Sequence, residues 1–391
     1  MEVRPPAAVA NRARLSGAAY AGMFVFGIVM ALLGAVLPAL STRLEFQVAD
    51  IGTLFLAMNL AMLACSSFIG VAMDRYGMKP PLAIGPLLVA SALALIARAA
   101  RFDGLIPAVV LVGLGGGALN AATNTLVADL HDDPKQKGGA LNILGVYFGI
   151  GALFLPFSVG ALLETFGIHR LLLATAAICL FTALFAGSLH YPVPKQQHRL
   201  PIADMPRFLR SPLILTLAGL LFFQSGIEFT VGGYISTYLT HGFSMSVSAA
   251  SWVLAGYWAA IMIARLVWSR VLKGFDPPKV VVACALAASA AACITAIAPA
   301  PPIAAIGICL MGLTLSGIFP TTLGIAGAAF RDYSGTVFGI LFTAALTGGT
   351  ILPWVAGHIA GFAGLTWVFG LVAVAFAIIA AFGMGILGTK Q

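Results

Sequence analysis

Charge is scarce in this chain: only 9% of its 391 residues are Asp, Glu, Lys or Arg, where an ordinary soluble domain carries about 25%. A water-facing surface cannot be assembled from so few charges, which excludes a soluble enzyme, a disulfide-built secreted scaffold and a disordered chain. No run of five or more like charges occurs, so the net charge of +8 is not a nucleic-acid footprint. No CxxC spacing occurs either. Cys65, Cys179, Cys284, Cys293 and Cys309 all fall inside apolar stretches, where a thiol is expected to be a small buried hydrophobe rather than a metal ligand. Acids are scarcer than bases: of 13, all but Glu228 fall in connections or at the ends of apolar runs. What is abundant is hydrophobic, at 60% of residues. The 44 glycines and 21 prolines lie among apolar residues, a placement that membrane helices tolerate. The composition is that of an all-α, multi-pass membrane protein.

A helix needs about 20 mostly apolar residues to cross the hydrocarbon, and twelve stretches qualify: 16–40, 51–73, 80–99, 105–130, 139–163, 169–190, 213–240, 246–272, 278–299, 302–329, 335–361 and 365–387. The first follows Arg4, Arg12 and Arg14 and is longer than the apolar core of a signal peptide, about 7–15 residues; it reads as a span, not a leader. Sixteen of the 21 basic residues fall on one side of such a layout and only Arg43, Arg98, Arg101 and Arg170 in connections on the other. The excess marks the cytoplasmic side and places both termini there, in a cell (inner) membrane. The longest hydrophilic segment, 191–211, holds four prolines and five charged residues and reads as a cytoplasmic linker between a six-helix bundle at 1–190 and another at 212–391. Across it, Gly151-Ala-Leu-Phe-Leu-Pro156-Phe-Ser-Val-Gly160 matches Gly348-Gly-Thr-Ile-Leu-Pro353-Trp-Val-Ala-Gly357. Two equivalent halves are the geometry of transporters that rock around a central site.

Between the second and third stretches stands Gly70-Val-Ala-Met-Asp74-Arg75-Tyr-Gly77-Met-Lys79. This resembles the loop signature of the major facilitator superfamily, G-x-x-x-D-R-x-G-x-[RK]. Gly70 would allow close helix approach, Asp74 would face a helix N-terminus and Gly77 would permit a tight turn; the resemblance implies a gating role for Gly70, Asp74, Arg75, Gly77 and Lys79. In the second half, Phe223-Gln-Ser-Gly226-Ile-Glu228-Phe-Thr-Val-Gly232-Gly-Tyr234, then Gly256-Tyr257-Trp258 with Arg265, then Gly317-Ile-Phe319-Pro320-Thr321 are similar, in order, to motifs of the fucose–galactose–glucose symporter family. That resemblance implies a polar solute, proton symport and the superfamily's twelve-helix fold of two pseudo-symmetric bundles. The first half departs from the pattern, with Gly34 and Asn120 where the family would place acids, so coupling cannot run through those two positions.

A charge at the bilayer centre costs about 2.5–3.5 kcal/mol on insertion scales, so Glu228 must be protonated, paired or facing water; it is the candidate proton carrier or, equally, a helix–helix bond. Gln224 lies one turn before it on the same face. Arg265 pairs Glu228, binds solute or holds helix-end carbonyls, the structural roles being favoured. Asn120, Asn124 and Asn142 offer donors and acceptors without charge, and Tyr147, Tyr234, Tyr257, Trp258 and Trp354 offer aromatic faces; with Gln224, Glu228 and Thr321 these form the candidate solute site. Amides also hold membrane helices together. Gly113-Leu-Gly-Gly-Gly117, with no strand before it, is a packing element rather than a nucleotide loop, as are Gly145 and Gly149. His358 reads as an interfacial histidine. The expected protein is a monomeric secondary transporter of a small polar solute, a monosaccharide foremost, in the lipid bilayer, with H+ as co-solute and no cofactor, metal or nucleic acid. The alternatives are a proton-coupled exporter of amphipathic molecules, a sugar uniporter, or a transporter-like sensor that binds without turnover.

Overall fold

A computed structural model describes residues 6–131, 134–192, 210–271, 274–330 and 334–388. The chain termini and residues 193–209, most of the expected linker, lie outside that set. Every long element among the described residues is helical: α1 (Pro6–Leu44), α2 (Val48–Tyr76), α3 (Lys79–Arg98), α4 (Leu105–Asp129), α5 (Pro134–Ser188), α6 (Pro212–Phe243), α7 (Val247–Val271), α8 (Pro277–Ala296), α9 (Pro301–Leu315), α10 (Ile318–Ala329), α11 (Ser334–Ala363) and α12 (Thr366–Gly388). Proline sits in the first turn of α3, α6, α8 and α9, where its missing N–H would have no intrahelical partner anyway.

Among the described residues, eleven helical stretches are long and apolar enough to cross a membrane. One of them, Gly139–Ser188, has 50 residues, more than twice what a crossing needs. Gly167 breaks it at φ 73°, ψ 157°, a conformation that glycine adopts without a Cβ clash, so α5 supplies two crossings. Conversely α9 and α10 form one span, Pro301–Ala329, interrupted at Ser316-Gly317. Pro320 explains the interruption: it has no N–H for the Ser316 carbonyl, and its ring would clash with that carbonyl. Twelve crossings result, as the hydropathy predicts, with α1 beginning ten residues earlier than its apolar core.

The chain gathers into two compact units. The first takes in Met1–Val36, Arg43–Glu45 and Ala57–Gln197; the second takes in Leu37–Thr42, Phe46–Leu56 and His198–Gln391. Glycine sets helix spacing inside each. In the first unit, a Cβ on Gly27 of α1 would lie 2.7 Å from the Ala152 nitrogen and 2.9 Å from Gly151 Cα of α5. In the second, a Cβ on Gly226 of α6 would lie 2.8 Å from the Gly348 carbonyl oxygen of α11. The repeat noticed in sequence around Pro156 and Pro353 is thus two copies of one backbone-to-backbone crossing. Gly113 and Gly117 of α4 press on the Met58 and Met62 carbonyls of α2 in the same way. Gly145 does not: a Cβ there meets nothing within 4 Å, so the expected packing role is corrected. The five cysteines are free, and Cys293 is exposed rather than buried, because it sits on an outward face of α8.

The end of α3 is closed from outside its own sequence. The Arg43 guanidinium donates to the carbonyls of Ile96, Ala97 and Ala99 at 3.1, 3.2 and 3.0 Å, and His169 Nδ1 lies 3.0 Å from the Ala97 carbonyl oxygen. The last carbonyls of a helix lack intrahelical donors, and a cation there also meets the negative end of the helix dipole. Arg43→Ala should therefore lower stability by roughly 2 kcal/mol, the scale of hydrogen bonds to a charged group, read as a drop in the thermal midpoint in detergent. An unchanged midpoint would show the cap to be dispensable. Just beyond α5, the Tyr191 hydroxyl donates to the Ala186 carbonyl at 3.1 Å, and burial pushes its phenol up to about 12, so it remains a donor throughout the physiological range.

Candidate functional site

The candidate site in the second unit is built on α6, which from Gln224 to Leu239 is buried on every side. Such a helix sees protein all round rather than lipid, and Glu228 stands at its middle, 8% exposed. One turn earlier, Gln224 Nε2 donates to Glu228 Oε2 at 3.0 Å, and the Ser225 hydroxyl donates to Gln224 Oε1 at 3.1 Å. On the other carboxylate oxygen, Arg265 Nη2 of α7 stands 3.4 Å from Glu228 Oε1. Pairing Glu228 is thus one of the roles open to Arg265 that the structure shows. The pair is loose, since charge-assisted N–H···O bonds run about 2.7–2.9 Å.

Helical periodicity explains how α7 brings Arg265 inward. Arg265 shares a face with Leu254, Trp258 and Ile261, all buried, whereas Trp252, Ile263, Leu266 and Val267 are exposed on the opposite side. Yet the Arg265 side chain is 34% exposed, unlike the buried residues that precede it on that face. Tyr257, fully buried, is within electrostatic range of both Glu228 and Arg265, and its hydroxyl has no hydrogen-bond partner among the described residues. Its ring packs edge-on against Trp258 at 5.6 Å.

Other sequence candidates of this unit lie apart from that cluster or are engaged elsewhere. The Tyr234 hydroxyl donates to the Pro353 carbonyl at 3.1 Å, and its ring stacks on Phe55 at 5.9 Å. Trp354 lies against His358 at 4.4 Å. The Thr321 hydroxyl donates to the Gly317 carbonyl at 2.6 Å, across the turn that Pro320 creates.

In the first unit, Asn124 Nδ2 donates to the Asn120 carbonyl oxygen at 2.8 Å and to Asn120 Oδ1 at 3.2 Å, so the amides of α4 form a pair along one face. Asn142 is exposed on α5. Tyr147 stacks face to face on Tyr20 of α1, with centroids 4.8 Å apart and planes 2° from parallel. Tyr20 was not legible as a partner from residue type. The signal is positional: Tyr20 and Tyr147 stand seven and four residues before Gly27 and Gly151, spacings that keep each on its glycine's helix face.

The loop signature is only partly explained by packing. Gly77 adopts φ 82° and its N–H donates to the Met73 carbonyl at 2.8 Å, the tight turn expected of it. Gly70 meets nothing within 4 Å, which corrects the expected close approach. Asp74 and Arg75 are exposed, Arg75 lying 5.3 Å from the centre of the Tyr76 ring. Lys79 opens α3.

The sequence profile of the Major Facilitator Superfamily matches residues 19–238 and 217–390. The chain is 23% identical over 388 residues, 95% of its length and 92% of the relative's, to YfkL, an uncharacterized MFS-type transporter of Bacillus subtilis (strain 168). Its fold is similar to that of a D-xylose-proton symporter, at TM-score 0.79 and 12% identity over 95% of this chain and 96% of that one. It is also similar to the E. coli fucose:proton symporter FucP, at TM-score 0.64 and 20% identity over 94% and 97%. With both halves of the sequence matched by the family's profile, the protein belongs to the Major Facilitator Superfamily, as a multi-pass membrane transporter and not an enzyme.

Proposed function

We propose that this protein is a secondary transporter that carries a small polar solute, a monosaccharide foremost, across the inner membrane by proton symport. The observation that carries the reading is Glu228, a carboxylate midway along α6 within its fully buried stretch, held by Gln224 and Arg265. A group so costly to embed is expected to have work to perform, and a carboxylate that exchanges partners is suited to loading and releasing a proton. Transport by alternating access would move the bundles at 1–190 and 212–391 about the 191–211 linker, with both termini cytoplasmic. The neighbouring folds named for proton symport of D-xylose and fucose support a sugar. So do the Asn120–Asn124 amides, Asn142 and the Tyr20–Tyr147 stack, which suit hydroxyl groups and an apolar ring face.

Counterflow of radiolabelled D-xylose, L-fucose and D-glucose in proteoliposomes tests the reading, with exchange of at least one expected. In that assay Asn124→Ala and Gln224→Ala should each raise the half-saturating concentration roughly tenfold, the worth of one hydrogen bond of about 1–1.5 kcal/mol, while folding and insertion persist. Unchanged values in both would reduce these amides to holding helices together. A tag at residue 391 that is accessible only from outside intact cells would overturn the orientation.

A further inference from the structure

We infer that the Glu228–Arg265 pair is an anion-operated latch: the solute bears a carboxylate that takes over Arg265 while Glu228 accepts a proton, so one anion and one proton cross together without net charge. The inference rests on the transporter reading above and narrows its solute to a carboxylated, hydroxyl-bearing molecule such as a sugar acid.

Three observations lead to it. First, a neutral sugar is served by amides and hydroxyls and has no need of a guanidinium. A guanidinium's planar fork of donors fits a carboxylate two-handed. Second, the pair is not built as a buried brace. At 3.4 Å, with Arg265 one-third exposed, unlike the buried residues that precede it on that face, the cation is reachable by a competitor without dismantling the helix contact. Third, the charges must balance. The resting pair sums to zero. An added anion leaves one uncompensated negative charge in the membrane interior, at a cost of several kcal/mol, and protonation of Glu228 removes it. The charge of the bound solute thereby obliges proton uptake, and the loaded site is again neutral. Among the described residues of the helices packed on α6, α9 to α12 contain Cys309 and His358 as their titratable side chains, His358 is engaged with the Trp354 carbonyl, and α2, whose Phe55 stacks on Tyr234, carries Asp50 in its first turn. From α7 the facing groups are Arg265 and Tyr257.

The test uses the purified full-length protein in detergent, with tryptophan fluorescence titrated by D-glucuronate, D-gluconate, L-lactate and D-glucose. At least one of the three acids should bind at least about tenfold tighter than D-glucose, and its binding should weaken as the pH is raised and the proton becomes scarce, by at most tenfold per pH unit. Glu228→Gln, which removes the competitor and the titration, should tighten acid binding at pH 8 and flatten its pH dependence, a gain that a merely structural role would not produce. Arg265→Gln alone risks misfolding, because it strands a buried carboxylate. The double variant Arg265→Gln with Glu228→Gln is neutral, and should stay folded and lose acid binding. In proteoliposomes, acid uptake should follow a pH gradient and ignore a valinomycin-set potential. If D-glucose binds at least as well as every acid and the double variant does not alter it, the latch is overturned and the neutral-sugar transporter stands. If none of the acids binds and no sugar exchanges, both readings fall. Acid binding that Glu228→Gln leaves unchanged also overturns the latch.

Discussion

Glu228→Gln is expected to abolish accumulation driven by a pH gradient while leaving downhill exchange of solute intact. Glutamine preserves the volume and one carbonyl oxygen, so Gln224 Nε2, now 3.0 Å from Glu228 Oε2, still has an acceptor. Arg265 loses its negative partner, but its side chain is one-third exposed, so the fold should persist. What glutamine cannot do is titrate. Every other acid of the chain falls in a connection or near a helix end, so no second carboxylate stands at mid-membrane to take over. The steady-state inside-to-outside ratio of labelled solute in proteoliposomes should fall from about tenfold per unit of imposed pH difference, the limit for one proton per solute, to unity, with counterflow retained. Persistent accumulation would remove Glu228 from the coupling path. A wild type that never accumulates would make the protein a uniporter, an outcome consistent with Gly34 and Asn120 standing where the sugar-symporter pattern has acids.

The twelve crossings were legible because each must satisfy its backbone internally over about 20 apolar residues, a demand that leaves a direct trace in composition. The break at Gly167 and the interruption before Pro320 follow from local stereochemistry, and hydropathy places a boundary at only the first of them. Glu228 was legible for the same reason as the spans, since a lone acid in an apolar run is conspicuous. Its hydrogen bond to Gln224 could be read from their four-residue spacing. Arg265 was visible as a partner of Glu228 only among several possible roles: 37 positions separate the two, and the packing of α7 on α6 is what brings them to 3.4 Å. Tyr20 was missed because a tyrosine in an apolar helix has many equivalent explanations. Gly70 and Gly145 show the converse, since a glycine's type in sequence does not reveal whether another backbone lies against it.

That difference among glycines gives the second large effect. Gly348→Leu and its counterpart Gly151→Leu should each abolish folded protein, whereas Gly145→Ala should be neutral or slightly stabilising. A Cβ on Gly348 would sit 2.5 Å from the Phe222 carbonyl carbon and 2.8 Å from its Cα, and one on Gly151 would sit 2.8 Å from the Phe24 carbonyl carbon. These neighbours are backbone and have no rotamer to move into. A leucine must therefore drive two helices apart, and in the second unit the displaced helix is α6, which carries Gln224 and Glu228. Overpacking by single methylenes costs about 1–3 kcal/mol, and a whole branched side chain against main chain should exceed the roughly 5–15 kcal/mol margin of a typical protein only when many contacts are lost together. Separating α6 from α11 along their crossing is such a loss. At Gly145 the added methyl meets open space and gains the helix preference of alanine over glycine, about 0.5–1 kcal/mol. Size-exclusion profiles and thermal midpoints of the three variants decide the matter: wild-type behaviour in Gly348→Leu would show that α6 and α11 do not cross backbone to backbone. A large loss in Gly145→Ala would place an unseen neighbour beside α5.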